Sequence, residues 1–227
     1  MFVGHFAAGL AAKPLAPRVP LPVLLAAPQV LDIVWPILVG AGIERASVEP
    51  GHLPATPLVL EHMPWSHSLL TSAGWALLSA IAYFAWRRDR RGAIVVALLV
   101  VSHWVLDWVT HEPDLALYPG GTEYGLGLWH SLPGTIALEL ALFAAGVWLY
   151  TRATTATGRW GRAGWYALVG FLLVGYLAAL FGKPPPTIDA VVVTAFVLIA
   201  LIIAWAWAVD RQRPPRAAAG GGDHDPT

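Results

Sequence analysis

Residues 93–111, AIVVALLVVSHWVLDWVTH, decide the fold. An apolar run of this length predicts a helix inside a membrane, and His103, Asp107 and His111 recur in it at i, i+4 and i+8. At 3.6 residues per turn the three side chains fall within roughly 80° of one another, on one stripe. That is the spacing of a ligand ladder. A carboxylate at bilayer depth costs about 2.5–3.5 kcal/mol on insertion scales, so a partner that neutralises it, such as a metal ion, is the expectation. The alternative for the same residues is an interhelical hydrogen-bond cluster.

The rest of the chain has the same character. It is 57% hydrophobic and 12% charged, which excludes an ordinary soluble domain and predicts an integral membrane protein. Apolar runs at 19–43, 66–86, 93–110, 125–150, 161–181 and 188–209 are each near the roughly 20 residues a spanning helix needs. The expected fold is therefore all-α: a polytopic membrane helical bundle of about six transmembrane helices. Met1 to Ala12 is also apolar but, at 1.5 Å per residue, reaches only about 18 Å, so it reads as a short N-terminal half-helix. No basic residue precedes it and Lys13 follows it, which is not the pattern of a cleaved signal peptide. Residues 1–213 read as one membrane domain, and 214–227, with its Ala and Gly runs and His224, as a disordered cytoplasmic tail.

Charge sets the expected topology. Lys13 and Arg18, Arg87 to Arg91, Arg152 to Arg162 and Arg211 to Arg216 hold all Lys and Arg except Arg45 and Lys183, and they occupy alternate loops. The positive-inside rule makes those loops cytoplasmic. The opposite loops, 44–65 and 111–124, are long and rich in Pro, Gly, His and acidic residues, where function tends to lie. The Trp residues mostly flank span ends, as interface belts do. With a net charge of zero and no broad basic face, nucleic acid is excluded as a partner, leaving the lipid bilayer.

Given this topology, the intramembrane polar residues gather in the outer half. His103 and Asp107 lie in the last turns of an outward-running helix, with His111 at its mouth and His67 opening the preceding helix. Asp32 sits past the middle of the first span, and His5 enters the same layer on the half-helix. The chain has no cysteine, so a metal must be held by imidazole and carboxylate, which suits Zn2+, with Mn2+ or Fe2+ as alternatives. The expected ligands are His5, Asp32, His67, His103 and Asp107, with His111 as a weaker candidate. His62 and His130 are candidates to relay a leaving-group proton, and Glu139, deeper and on the opposite side of its helix, is a further catalytic candidate. Competing structural readings stay open: Asp32 capping or kinking its helix near Pro28 and Pro36, His5 as a core histidine, and Ser66 as a helix cap beside His67.

At these residues the chain resembles a bacterial and archaeal family of integral-membrane metal-dependent hydrolases that includes an SOS-regulated (LexA-controlled) inner-membrane member. The likeness covers roughly residues 1–140. It rests on His5 followed by Gly9, on Leu31-Asp32-Ile33-Val34 against a Pro-Asp-x-Asp step, and on His62-Met63-Pro64-Trp65-Ser66-His67-Ser68 against His-Arg-Gly-x-Thr-His-Ser. Its most specific part is Ser102-His103 with Asp107, against Ser-His-x-x-x-Asp. Val34 replaces the second Asp of the step, which bears on a second metal, and Met63-Pro64 replaces Arg-Gly, which removes a cation able to hold phosphate. The His103–Asp107 spacing is also similar to the His-x-x-x-Glu helix of zinc-dependent phospholipases C, a fold-level analogy.

The resemblance implies a multi-pass protein of the bacterial inner membrane, with metal-activated water as the nucleophile. Because the cavity should open outward, the expected substrate is an ester or phosphoester, with a lipid or lipid-linked molecule favoured. Rival readings are a metal or proton-coupled transporter, which needs a polar path through both leaflets, and a metal-binding scaffold or sensor. A di-iron oxidase would need paired His boxes, and no two His here are separated by only two or three residues.

Overall fold

The computed structural model describes residues 1–216. Its helices are α1 (Val3–Ala11), α2 (Leu21–Ala26), α3 (Val30–Gly40), α4 (Leu69–Arg87), α5 (Arg90–Thr110), α6 (Leu132–Ala153), α7 (Arg159–Phe181) and α8 (Ile188–Asp210). Six segments are long and apolar enough to cross a membrane, the first being α2 and α3 taken together as Leu21–Gly40. The protein is thus a multi-pass helical bundle with small sheets only. β1 (Arg45–Val48) and β2 (Leu58–His62) form one antiparallel hairpin, and β3 (Leu115–Ala116) and β4 (Glu123–Tyr124) a second. Both hairpins lie in the two long loops.

Local chemistry fixes the ends of these helices. Ser68, Asp89, Ser131 and Thr187 accept from the backbone N–H of Thr71, Gly92, Gly134 and Ala190, N-capping α4, α5, α6 and α8. The cap of α4 is therefore Ser68 and not Ser66. The fourth span starts at Leu132, later than the apolar run from 125. Gly127 takes a left-handed turn (φ 70°) and Leu128–His130 forms a 3-10 turn that ends at the Ser131 cap and Pro133. His130 accordingly precedes the span instead of opening it.

The first span is broken, where the hydropathy pattern predicts one run. Ala27–Gln29 forms a 3-10 turn between α2 and α3. Pro28 has no N–H to give the helix ladder and its ring crowds the preceding turn, which accounts for the interruption. The break carries a consequence for the site described below.

Two apolar clusters fill the bundle, and α1 with α2 forms the wall between them. One joins Ala12, Leu24, Leu31 and Trp35 to Tyr83 of α4 and Val96, Leu99 and Val100 of α5. The other joins Val3, Phe6 and Leu10 to Phe143 and Tyr150 of α6, Trp165, Leu168 and Leu172 of α7 and Ile202 and Ala206 of α8. The half-helix α1 is therefore buried between the two halves, the setting in which non-spanning backbone is tolerated at membrane depth. Glycine makes this insertion possible. A Cβ on Gly9 would lie 2.1 Å from the Leu24 carbonyl oxygen, and one on Gly146 of α6 would lie 2.6 Å from that of Ala7.

The arginine-bearing turns hold a second set of polar contacts. Lys13 is buried, donating to the Val19 carbonyl at 2.9 Å and facing Asp210 at 3.6 Å. Burial pushes its ammonium below the ordinary lysine value, with the Asp210 carboxylate opposing. Lys13 is thus a structural tie between α1 and α8 as well as a loop cation. Residues 214–216, assigned to the tail on composition, pair with the end of α6 through the Thr154–Pro215 bridge and the Arg216 N–H to Ala153 contact at 2.8 Å. His224 and the remainder of the tail lie outside the described residues.

The α1–α6 approach is testable. Gly146→Ala forces a methyl group into backbone and is expected to destabilise the protein by about 1–3 kcal/mol, whereas Gly170→Ala, with no neighbour within 4 Å, leaves it unchanged or firmer. Thermal unfolding of both variants in one detergent checks the contrast.

Candidate metal centre

Asp107 is the hub of the site, and four imidazoles converge on it. On α5, one turn before it, His103 places Nε2 2.8 Å from Asp107 Oδ2. One turn beyond, His111 caps the helix and places Nε2 3.6 Å from Oδ1. From α1, His5 brings Nε2 to 3.0 Å of Oδ1, its ring lying flat on that of His103 with centroids 3.7 Å apart and planes 3° off parallel. His67, in the segment before α4, reaches within 3.8 Å of Oδ2. The terminal ammonium of Met1 lies 2.7 Å from Oδ1. His5, His67, His103, Asp107 and His111 are all buried.

Asp32 completes the ring. It sits in the first turn of α3, 35% exposed, with Oδ1 3.7 Å from Nε2 of both His67 and His103. Two donor triads result: His5, His103 and Asp107, and Asp32, His67 and His103. In each, one ligand atom per residue lies within 4.8 Å of the others, so the group could hold a metal ion.

The surroundings aim the rings. His103 Nδ1 donates to the Pro28 carbonyl at 2.6 Å, a group that can only accept, and the broken first span supplies it. His67 Nδ1 donates to Ser66 Oγ at 2.7 Å, and that hydroxyl donates onward to buried Glu44 at 2.6 Å. Glu44 is held in turn by the backbone N–H groups of Trp65 and Ser66, both at 2.8 Å. His111 Nδ1 donates to Asp114 at 3.0 Å while its ring packs on Trp129. With Nδ1 committed to these acceptors, each ring turns its Nε2 towards the carboxylates, as metal-binding histidines do when carboxylate or carbonyl partners orient them.

This arrangement fits a cation. His103 Nε2 is buried beside two carboxylates yet makes no hydrogen bond, and His5 Nδ1 is likewise unpartnered. Two carboxylates ringed by imidazoles in a low-dielectric site favour positive charge among them, and the Met1 ammonium reaches only Oδ1 of Asp107. The donor set, imidazole and carboxylate without thiolate, is one that binds first-row divalent metals.

Comparison of the chain with known protein families, curated proteins and solved structures finds no match. The reading of the site stands on its geometry.

A cavity of about 560 Å3 adjoins the centre. Asp32, His67, Asp107, His111 and Glu139 line it, together with Trp35, Met63, Trp129, the C-terminal turns of α7 and the N-terminal turns of α8. Glu139 accepts through Oε2 from the backbone N–H of Phe2 at 2.8 Å and of Gly4 at 3.1 Å, so it caps α1 from across the bundle and fixes the depth of His5.

Two candidates are not brought to the centre. His62, at the end of β2, is exposed and lines a separate hollow with Asp114 and Glu123. His130, 59% exposed, sits 3.1 Å from Glu112, whose other oxygen meets His52 at 3.0 Å. Neither residue lines the main cavity, which corrects their assignment as proton relays there. The residues sequence reasoning missed are those behind the rings: Glu44, Ser66, Asp114 and the Pro28 carbonyl. Glu44 and Asp114 appear in the sequence only as loop charges, and no spacing rule ties them to His67 and His111.

Removing the support behind a ring should weaken metal binding without abolishing the site. Ser66→Ala or Glu44→Gln is expected to lower affinity about 10–100-fold, read by metal titration of the purified protein, with the saturating stoichiometry retained.

Proposed function

We propose that the chain is a membrane-embedded hydrolase that holds a divalent ion, most simply Zn2+, through His67, His103 and Asp107, with His5, Asp32 and His111 completing the group. The observation that carries the reading is the orphaned Nε2 of His103, which its Pro28 contact points at two carboxylates on the wall of a cavity. A volume of about 560 Å3 is in the range of small-molecule sites. The resemblance of residues 1–140 to the integral-membrane metal-dependent hydrolases supports the same assignment.

When bound, such an ion lowers the pKa of coordinated water towards about 7 and polarises the scissile oxygen, which makes hydrolysis of an ester or phosphoester feasible at neutral pH. The protein's own groups supply the rest. Asp107 offers both oxygens to the centre. Among the described residues Glu139 is the one carboxylate lining the cavity that belongs to neither donor triad, and it is assigned to receive the proton of the attacking water. The apolar wall limits water to the polar side. The positive-inside rule supports a topology with the arginine-bearing turns in the cytoplasm and the cavity in the outer leaflet.

Metal content and turnover test this together. In the detergent-purified protein, His103→Ala and Asp107→Ala are expected to reduce bound metal to background, and chelation to abolish hydrolysis of bis(p-nitrophenyl) phosphate until Zn2+ is restored. Unchanged stoichiometry in both variants removes the site. Metal or proton flux through proteoliposomes without hydrolysis replaces the enzyme with a transporter.

A further inference from the structure

Helices α7 and α8 pack on each other at the end away from their connecting turn and line the cavity at the end beside it. Near the arginine-bearing turns, Trp165, Leu168 and Leu172 share a buried cluster with Ile202, Ala206 and Val209, and Trp205 Nε1 donates to the Gly164 carbonyl at 3.1 Å. Towards the metal centre the same helices line the cavity instead. Gly175, Tyr176 and Ala179 form a stripe on α7, and Val191, Ala195 and Leu198 form one on α8 at helical spacing. Ala179 and Thr194 line the cavity and are exposed although they lie in spanning segments, so the space between the two helices is accessible. The slot is apolar, and water has no favourable role there.

The rim of this slot carries one cation. Lys183, exposed in the turn between α7 and α8, is the one Lys or Arg lining the cavity among the described residues. Among those residues it has no carboxylate within ion-pair distance. Asp32, His67, Asp107 and His111 of the centre line the same cavity. A hydrocarbon wall, an unpaired ammonium and a metal centre around one space define a ligand with an alkyl chain and an anionic head. A neutral ester would leave the ammonium without a partner, whereas a phosphodiester offers oxygens to both Lys183 and the metal centre.

We propose that the cleft between α7 and α8 seats the hydrocarbon chain of a phosphate-bearing membrane lipid, which enters sideways from the bilayer and sets its phosphate between the metal centre and Lys183. The inference rests on the hydrolase reading for what happens next: water adds to phosphorus, the P–O bond to the leaving group breaks, and the leaving oxygen takes up the proton. Met63-Pro64 provides no cation beside His67, and Lys183 supplies one to the same cavity.

The test separates lipid capture from turnover. The full chain in nanodiscs is irradiated with phosphatidylglycerol bearing a diazirine in its acyl chain, and adducts are mapped by mass spectrometry. Adducts are expected within 175–180 and 191–198. Ala195→Trp, which fills the cleft, should lower them at least tenfold, while Val193→Trp on the exposed face of α8 should not. Lys183→Gln should lower capture of phosphatidylglycerol several-fold and leave capture of a matching diacylglycerol probe unchanged. Hydrolysis of bis(p-nitrophenyl) phosphate by the Val193→Trp variant, whose residue lies outside the cavity, should persist. Adducts elsewhere, adducts indifferent to Ala195→Trp, diacylglycerol captured as well as phosphatidylglycerol by the wild-type protein, or full competition by soluble glycerophosphoglycerol overturns the lipid seat. Absence of metal-dependent turnover with cleft adducts intact overturns the hydrolase and leaves the lipid seat standing.

Discussion

The structure depends on neutralising one carboxylate. Asp107 is buried in α5, and its two oxygens are met by imidazoles from three separate parts of the chain. Each of those approaches imposes a demand on the backbone. The half-helix α1 must be thin enough at Gly9 to lie against α2, and α6 must offer Gly146, or His5 does not arrive. The segment before α4 must fold over Glu44, or His67 does not point inward. The polar centre is thus a cause of the packing around it.

Directionality follows from the same requirement. A ring that may rotate or exchange its proton between nitrogens screens the carboxylate in many ways, and only one of them leaves a lone pair for a ligand. Here His67, His103 and His111 are each tethered on Nδ1 by a different kind of acceptor: a hydroxyl backed by a carboxylate, a main-chain carbonyl and a carboxylate directly. Three unlike solutions reach one outcome, which speaks for the tautomer and not for any particular partner.

Much of this was legible from residues alone. Apolar run lengths and the alternation of arginines give the spans, because bilayer thickness and charge act on composition more than on detail. The ladder on α5 is visible because helical periodicity brings i, i+4 and i+8 together wherever the helix lies. His5, Asp32 and His67 were reachable through depth, since a polar group inside a membrane has few places to go. His62 and His130 were misplaced because the sequence shows that a loop is long but not how it hairpins. β1 and β2 carry His62 away, and the turn at Gly127 sets His130 on Glu112. Glu44 was silent for a related reason: its partner is twenty-two residues on, across a hairpin, and no periodicity spans that distance.

The interruption at Pro28 also bears on motion. An unbroken helix keeps its carbonyls for its own ladder, whereas this one lends a carbonyl to α5. Any sliding of the third span along the first would pull His103 off that acceptor and strand two polar groups in hydrocarbon, a penalty of several kcal/mol by analogy with unsatisfied groups in lipid. The two spans therefore behave as a single clamped plate. Rocking of one half of the bundle against the other, which carries cargo through inverted-repeat transporters, would have to hinge elsewhere.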